Sequence, residues 1–239
     1  SQLLASALPQ QSVPVEALPD TTAVLEHAIR WPELSTKDAK QLLAPILDDF
    51  SLNVTGLMNF LDLTKGGPEV FVERNLLRLP GARTVSLAFG TAMHSALEFA
   101  QRQINRSEFD LDAVLQRFEQ ALLHEPILPE ELAREIPHGK ALLTRLFDEQ
   151  LLVLPEDGTP EQKLAGIAID GAVIDGKLDH IITDNDHILI SDFKTGRPLS
   201  SFSSKAKEAQ VKIWKHRTQL IFYALLAHNH PLYAGKHVT

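Results

Sequence analysis

Two aspartates and a lysine fall close together in the stretch Gly176 to Gly196, GKLDHIITDNDHILISDFKTG. Ile181-Ile182 and Ile188 to Ile190 are aliphatic runs of strand character, and the Asp184-Asn185-Asp186 between them is turn chemistry that tolerates positive φ. With Asn185-Asp186 as a two-residue loop, Asp179 lies directly opposite Asp192. Their Cβ atoms would then be about 4.5–5.5 Å apart, where like charges destabilise a hairpin. Alternation along the strand puts Lys194 on the same face, one diagonal step away. Two carboxylates pressed together beside a lysine suggest a site for a divalent cation. Aspartate oxygens suit Mg²⁺ or Mn²⁺, which polarise a phosphoryl oxygen and generate hydroxide from bound water. The ammonium could orient that water or stabilise charge developing on a phosphate. The competing reading is a solvated surface hairpin, with a Lys–Asp pair worth under about 1 kcal/mol. A slip of one residue would turn Asp179 to the other face and dissolve the site.

Other residues could join this group. His94 follows Phe89-Gly90-Thr91, with Glu98 four residues on. As a ligand, its imidazole would move metal preference from Mg²⁺ towards Mn²⁺; otherwise it caps or packs its helix. Gln219 and Tyr223 share one face of an apolar helix, either as site residues or as boundary residues. Upstream on that helix, Lys205, Lys207, Lys212, Lys215 and Arg217 oppose only Glu208, a local excess of positive charge that is either solvated or in contact with phosphates. Glu161 precedes the meander, and no spacing ties it to the other acids. There is no P-loop, G-x-S-x-G, dinucleotide fingerprint or H-E-x-x-H.

The elements that must position these residues follow from periodicity. Ser1 to Asp20, with Pro9, Pro14 and Pro19, reads as a linker or surface arm. Thr22 to Arg30 and Thr36 to Phe50 have helical spacing, with Ser35 or Thr36 as a cap. Ser51 to Thr55 alternates, Gly56 to Leu63 is helical, Lys65-Gly66-Gly67-Pro68 breaks the chain, and Glu69 to Leu79 is amphipathic. Thr91 is the expected N-cap of a helix from Ala92 to Ile104, which places His94 in its first turn. Helices from Asp110 to Leu123 and from Pro129 to Leu151 follow. Strand alternation over Leu164 to Ile174, with Gly171 as a turn or bulge, continues through Val173 to Ile182 into the hairpin. Arg197 to Ser204 forms a loop, Lys205 to Asn229 a helix stopped by Pro231, and Tyr233 to Val238 begins one more strand. The order implies an α/β sheet with helices on its faces.

Composition narrows the partners. With 44% hydrophobic and 23% charged residues, the chain of 239 residues has ordinary globular make-up. No apolar run approaches the roughly 18 residues of a membrane span, and no signal-peptide pattern is present. Zero cysteines exclude disulfides, thiolate zinc sites and cysteine-ligated iron–sulfur clusters, and fit an intracellular, cytoplasmic protein. A net charge of −8 argues against coating nucleic acid through bulk positive charge and leaves room for a local basic groove. Ser1 in place of Met suggests a piece of a longer polypeptide.

Together these residues resemble the RecB-like branch of the PD-(D/E)xK nuclease superfamily. Its four motifs stand in order as Gly90-Thr-Ala-Met-His94, Gly176-Lys-Leu-Asp179, Asp192-Phe-Lys194-Thr-Gly and Gln219-Leu-Ile-Phe-Tyr223. Ser51 to Thr55, with Leu76-Leu-Arg-Leu-Pro80, looks like the opening segment of nuclease domains attached to UvrD/RecB-type helicases. The resemblance implies a restriction-endonuclease-like α/β core: a central mixed sheet with an antiparallel meander, flanked by helices, plus a helical N-terminal part. It implies residues 1–50 as connector and 51–239 as nuclease domain, cut short at its C-terminal end. By the same likeness His94, Asp179 and Asp192 are metal ligands with the Phe193 carbonyl as a fourth, Asp179, Asp192 and Lys194 are catalytic, and Gln219 and Tyr223 organise a DNA-side helix that also carries Lys212, Lys215 and Arg217. Leu178 stands where the signature proline would precede the first acid. Mg²⁺ or Mn²⁺ without an iron–sulfur cluster is the expected cofactor. Single-stranded or unwound duplex DNA and a linked helicase are the expected partners, in repair or recombination, as an exonuclease or endonuclease. A non-catalytic, nuclease-like DNA-binding or scaffold module is the alternative.

Overall fold

A computed structural model describes residues 36–196 and 206–239. The expected N-terminal arm, the helix over Thr22 to Arg30, the Ser35 cap, the Arg197 to Ser204 loop and Lys205 lie outside the described residues. The chain divides into two compact units, Ser1–Ile46 and Leu47–Thr239. Helix α1 (Thr36–Asp48) lies mostly in the first.

The second unit begins with α2 (Val54–Leu61), capped by Asn53, whose side chain accepts from the Gly56 N–H at 2.8 Å. The Ser51 to Thr55 segment forms a single parallel bridge, Leu52 with Ile174, where a longer alternating piece was expected. A short 3₁₀ turn (Leu63–Lys65), α3 (Pro68–Phe71) and a π turn (Val72–Leu76) follow.

Helix α4 (Val85–Ile104) starts at Thr84, whose hydroxyl accepts from Leu87 N at 3.3 Å. Thr91 is therefore internal, its hydroxyl donating to Leu87 O at 3.0 Å, and His94 sits in the third turn, not the first. Val85 to Gly90 continues the apolar stripe that the helix buries, so the earlier threonine wins the cap. Ala88, Ala92, Ala96 and Ala100 are wholly buried at four-residue spacing, which lets α5 (Leu111–Leu123) and α6 (Pro129–Asp148) approach closely. Phe118, Leu122 and Leu143 complete this helical core.

The sheet runs β1 (Thr159–Ile169), β2 (Ala172–Thr183), β3 (His187–Ser191), β4 (His237–Val238), antiparallel except for the parallel β3–β4 pair. Asp170 and Gly171 both have positive φ, 47° and 84°, as a two-residue loop joining twisted strands requires. Helix α7 (Lys207–Asn229) lays Phe222, Tyr223, Leu226 and Ala227 on Leu164, Leu178, Ile181 and Ile188, forming a second core. A Cβ on Gly176 would stand 2.2 Å from Leu226 Cδ1, so that glycine sets how closely α7 meets β2. This is the mixed α/β architecture expected, with the site at the seam of the two cores.

Candidate metal centre

The β2–β3 register is the one the turn implied. Thr183 pairs with Ile188 and His180 with Ser191, the same diagonal that carries Asp179 to Asp192. The turn itself differs: none of Asp184, Asn185 or Asp186 has positive φ. Asp184 instead accepts from the backbone N–H groups of Asp186 at 2.9 Å and His187 at 2.6 Å, closing the loop with its own side chain.

Pairing stops at Ser191, and the chain beyond it is organised by side chains. Asp179 Oδ2 accepts the Phe193 N–H at 2.8 Å. Asp192 is ion-paired with Lys194 through Oδ2 and accepts from Gln219 Nε2 at 2.7 Å through Oδ1. The same amide donates to Tyr223 OH at 2.8 Å, so the two α7 residues act as one strut holding Asp192. Burial pushes the Tyr223 phenol up to about 12, which keeps it neutral.

From α4, His94 reaches into this group. Its Nδ1 is 3.4 Å from Asp179 Oδ1 and 3.6 Å from Glu161 Oε1, and its Nε2 is 3.1 Å from Phe193 O. The carboxylates of Asp179 and then Glu161 beside it raise the imidazole to about 10. Burial alone would raise the Asp179 carboxyl, but the neighbouring His94, the Phe193 N–H and Lys194 outweigh it and hold Asp179 below the usual carboxylate range. Asp192 goes the other way: burial, and Asp179 beside it, push it up against the pull of Lys194. Gly90 lies one turn before His94, and a Cβ there would press on Thr195 Oγ1 at 3.3 Å. Its bare backbone lets the Lys194-Thr195 segment cross the helix.

Glu161 belongs to the site. By the β1–β2 register it stands opposite Asp179, between the pairs Pro160–His180 and Gln162–Leu178. Its backbone has φ 52°, a left-handed conformation inside a strand. Its other carboxylate oxygen is ion-paired with Lys177. His94, Glu161 and Asp179 each offer a ligand atom within 4.8 Å of the others. Two carboxylates and an imidazole are hard and borderline donors of the kind Mg²⁺ or Mn²⁺ takes, so the residues present fit a divalent ion. Phe193 O meets the opposite ring nitrogen, Nε2, at 3.1 Å, which fixes how the imidazole is turned towards the two carboxylates. An open cavity of about 540 Å³ fronts the group, lined by His94, Glu98, Glu161, Lys177, Lys194 and Thr195 among others.

Of the residues singled out from sequence, the structure gathers His94, Asp179, Asp192, Phe193, Lys194, Gln219 and Tyr223. Lys212 shares the Gln219 face of α7. Lys215, on its flank, is bound at 2.6 Å to Asp62. Arg217 projects from the far side of the helix, since two residues advance roughly 200° at 3.6 residues per turn. No spacing in the sequence ties Glu161 to the other acids, Lys177 holds an unspecified place between Gly176 and Asp179, and Asp62 stands outside the motifs.

No described helix is long and apolar enough to cross a membrane. No curated protein and no solved structure matches the chain significantly. Among known families, residues 68–238 match the model of the PD-(D/E)XK nuclease superfamily. That match spans most of the sequence and every residue gathered around the cavity, so the chain belongs to the PD-(D/E)XK nuclease superfamily.

Proposed function

We propose that this chain is a metal-dependent DNA nuclease that hydrolyses phosphodiester bonds. The observation that carries this reading is the meeting of His94, Glu161 and Asp179 beside the Asp192–Lys194 pair, in a chain of this family. A divalent cation bound there supplies a Lewis acid for the phosphoryl oxygen and lowers the pKa of its water. His94, Asp179 and Asp192 hold it with the Phe193 carbonyl, and Glu161 adds a carboxylate from β1. The imidazole tilts the preference towards Mn²⁺ over Mg²⁺. Lys194, the more exposed member of its pair, presents its ammonium to the attacking water or to charge developing on the phosphate. Gln219, braced by Tyr223, keeps the Asp192 carboxylate turned towards the site.

Residues 51–239 form the nuclease domain and 1–50 its connector. The four motifs in RecB-like order, with the segment from Ser51 onward, support a nuclease joined to a helicase. Such a protein would cut single-stranded or freshly unwound DNA inside the cell, in repair or recombination, as an exonuclease.

Labelled single- and double-stranded DNA, incubated with Mg²⁺ or Mn²⁺, tests the assignment. The expected result is cleavage by the wild type and a loss of at least about 10²–10³-fold in Asp192→Ala and Lys194→Ala, the scale of a removed transition-state contact. Cleavage at the wild-type rate in both variants would sink it.

A further inference from the structure

A smaller hollow of about 200 Å³ lies beside the main cavity and shares Ser86, Thr195 and Gly196 with it. Helices α4 and α6 supply its other walls, among them Phe89, Glu135 and His138. The His138 ring lies nearly parallel to Phe89, with 24° between the planes and 5.5 Å between centroids. Phe89 is buried and the His138 side chain is 57% exposed, so the stack shows one ring face to solvent. The platform is held from behind. A Cβ on Gly139 would stand 2.0 Å from Phe118 Cζ, so α6 is pressed against α5 next to His138. One turn earlier, the Glu135 carboxylate accepts from Arg134 Nε at 3.0 Å and meets His138 Nδ1 at 3.4 Å. Burial would raise this carboxyl, but Arg134 and His138 outweigh it and hold it below the usual range. It is therefore ionised at neutral pH, and each oxygen keeps a lone pair for another donor.

These walls select a ligand. Among the described residues no lysine or arginine lines the hollow, so it does not suit a phosphate. An open ring face suits another flat ring. A carboxylate with a lone pair left on each oxygen suits two hydrogen-bond donors side by side. Of the four DNA bases only guanine carries such a pair, N1–H next to the N2 amine. The Watson–Crick edges of adenine, cytosine and thymine set each donor beside an acceptor, and guanine frees its own edge only when unpaired. Thr195 and Gly196 directly follow Lys194, so the wall shared by the two cavities begins one residue past the proposed catalytic lysine. Resting on the nuclease reading, we infer that the hollow receives an unpaired guanine of the strand being cut, next to the phosphate at the metal centre, stacked on His138 with its two donors on Glu135.

The test is fluorescence anisotropy of the full chain, without added metal, on a short fluorescein-labelled oligothymidine and on the same strand carrying isolated guanines. The guanine strand should bind at least about fivefold tighter, the lower end of what a bidentate base contact is worth. Replacing guanine by hypoxanthine, which lacks the N2 amine, should remove most of that preference, and this arm needs no variant. Glu135→Gln should abolish the preference, while Glu130→Gln, which removes the same charge elsewhere on α6, keeps it. His138→Ala should weaken the guanine strand by at least about fivefold, the scale of one lost base–aromatic stack. Equal wild-type affinity for the guanine and thymine strands, hypoxanthine bound as tightly as guanine, an unchanged preference in Glu135→Gln, or no measurable binding overturns the subsite. Cleavage with Mn²⁺ is scored separately: a wild type that prefers guanine and cuts nothing refutes the nuclease reading alone.

Discussion

The β2–β3 hairpin carries aspartates at both ends, and the two ends use them differently. At the turn, Asp184 has a side chain 69% exposed and is held below the usual carboxylate range by the His187 and Asp186 N–H groups it accepts from. At the open end, Asp179 and Asp192 are 12% and 9% exposed, and their carboxyls move in opposite directions. The turn carboxylate completes a backbone. The open-end carboxylates crowd one another and are tolerated only because His94, Lys194 and Gln219 meet them. An aspartate says little by itself; what answers its charge separates scaffold from chemistry.

Breaking the open end should have the largest effect. Asp179→Asn removes a proposed ligand and the acceptor of the Phe193 N–H. Mn²⁺ affinity by calorimetry should fall at least about 100-fold, beyond the roughly 10–100-fold typical of outer-sphere changes. Unchanged affinity would remove Asp179 from the ligand set.

A middle-sized effect concerns the proton on His94. Its pKa rises from 6.5 unfolded to about 10 in the fold, so the folded chain holds a proton between those values that the unfolded chain releases. The stabilisation is complete below about 6.5 and fades as pH climbs through about 10. Ligation needs neutral imidazole, so Mn²⁺ binding at pH 7 should expel close to one proton, read from binding enthalpies in buffers of differing ionisation heat. Zero release would place His94 outside the metal's shell.

The smallest effect belongs to the turn. Asp184→Ala should lower Tm by roughly 2–4 °C while leaving metal affinity and cleavage unchanged. A variant that lost activity instead would mean that the two ends are coupled.

Much of the site was legible because its parts obey simple periods. A two-residue loop carries Asp179 to Asp192 by counting, and four-residue spacing puts Gln219 and Tyr223 on one face. Glu161 escaped for a related reason. Counting back from the Ile169–Ala172 pair brings Gln162, not Glu161, opposite Asp179. The irregularity between Leu164 and Ile167 moves the register by one and supplies the acid. Gly166, φ 70°, sits in that irregularity, and its N–H donates to Asp175 Oδ1 at 2.7 Å. The Asp62–Lys215 pair joins segments far apart in sequence, which no local period reports. Arg217 was open to the same helical count that placed Gln219, and that count turns it away. The start of α4 was missed because two threonines can each cap, and burial of the Ala88 and Phe89 stripe decides between them.

The left-handed backbone at Glu161 bears on how this chain would respond to selection. Such a conformation costs about 1–3 kcal/mol, and glycine adopts it freely. Heat-resistance screening alone would favour glycine at 161, and in the proposed reading each survivor would have one ligand fewer for its metal. Sturdiness and cutting power would then trade against each other at a single φ angle.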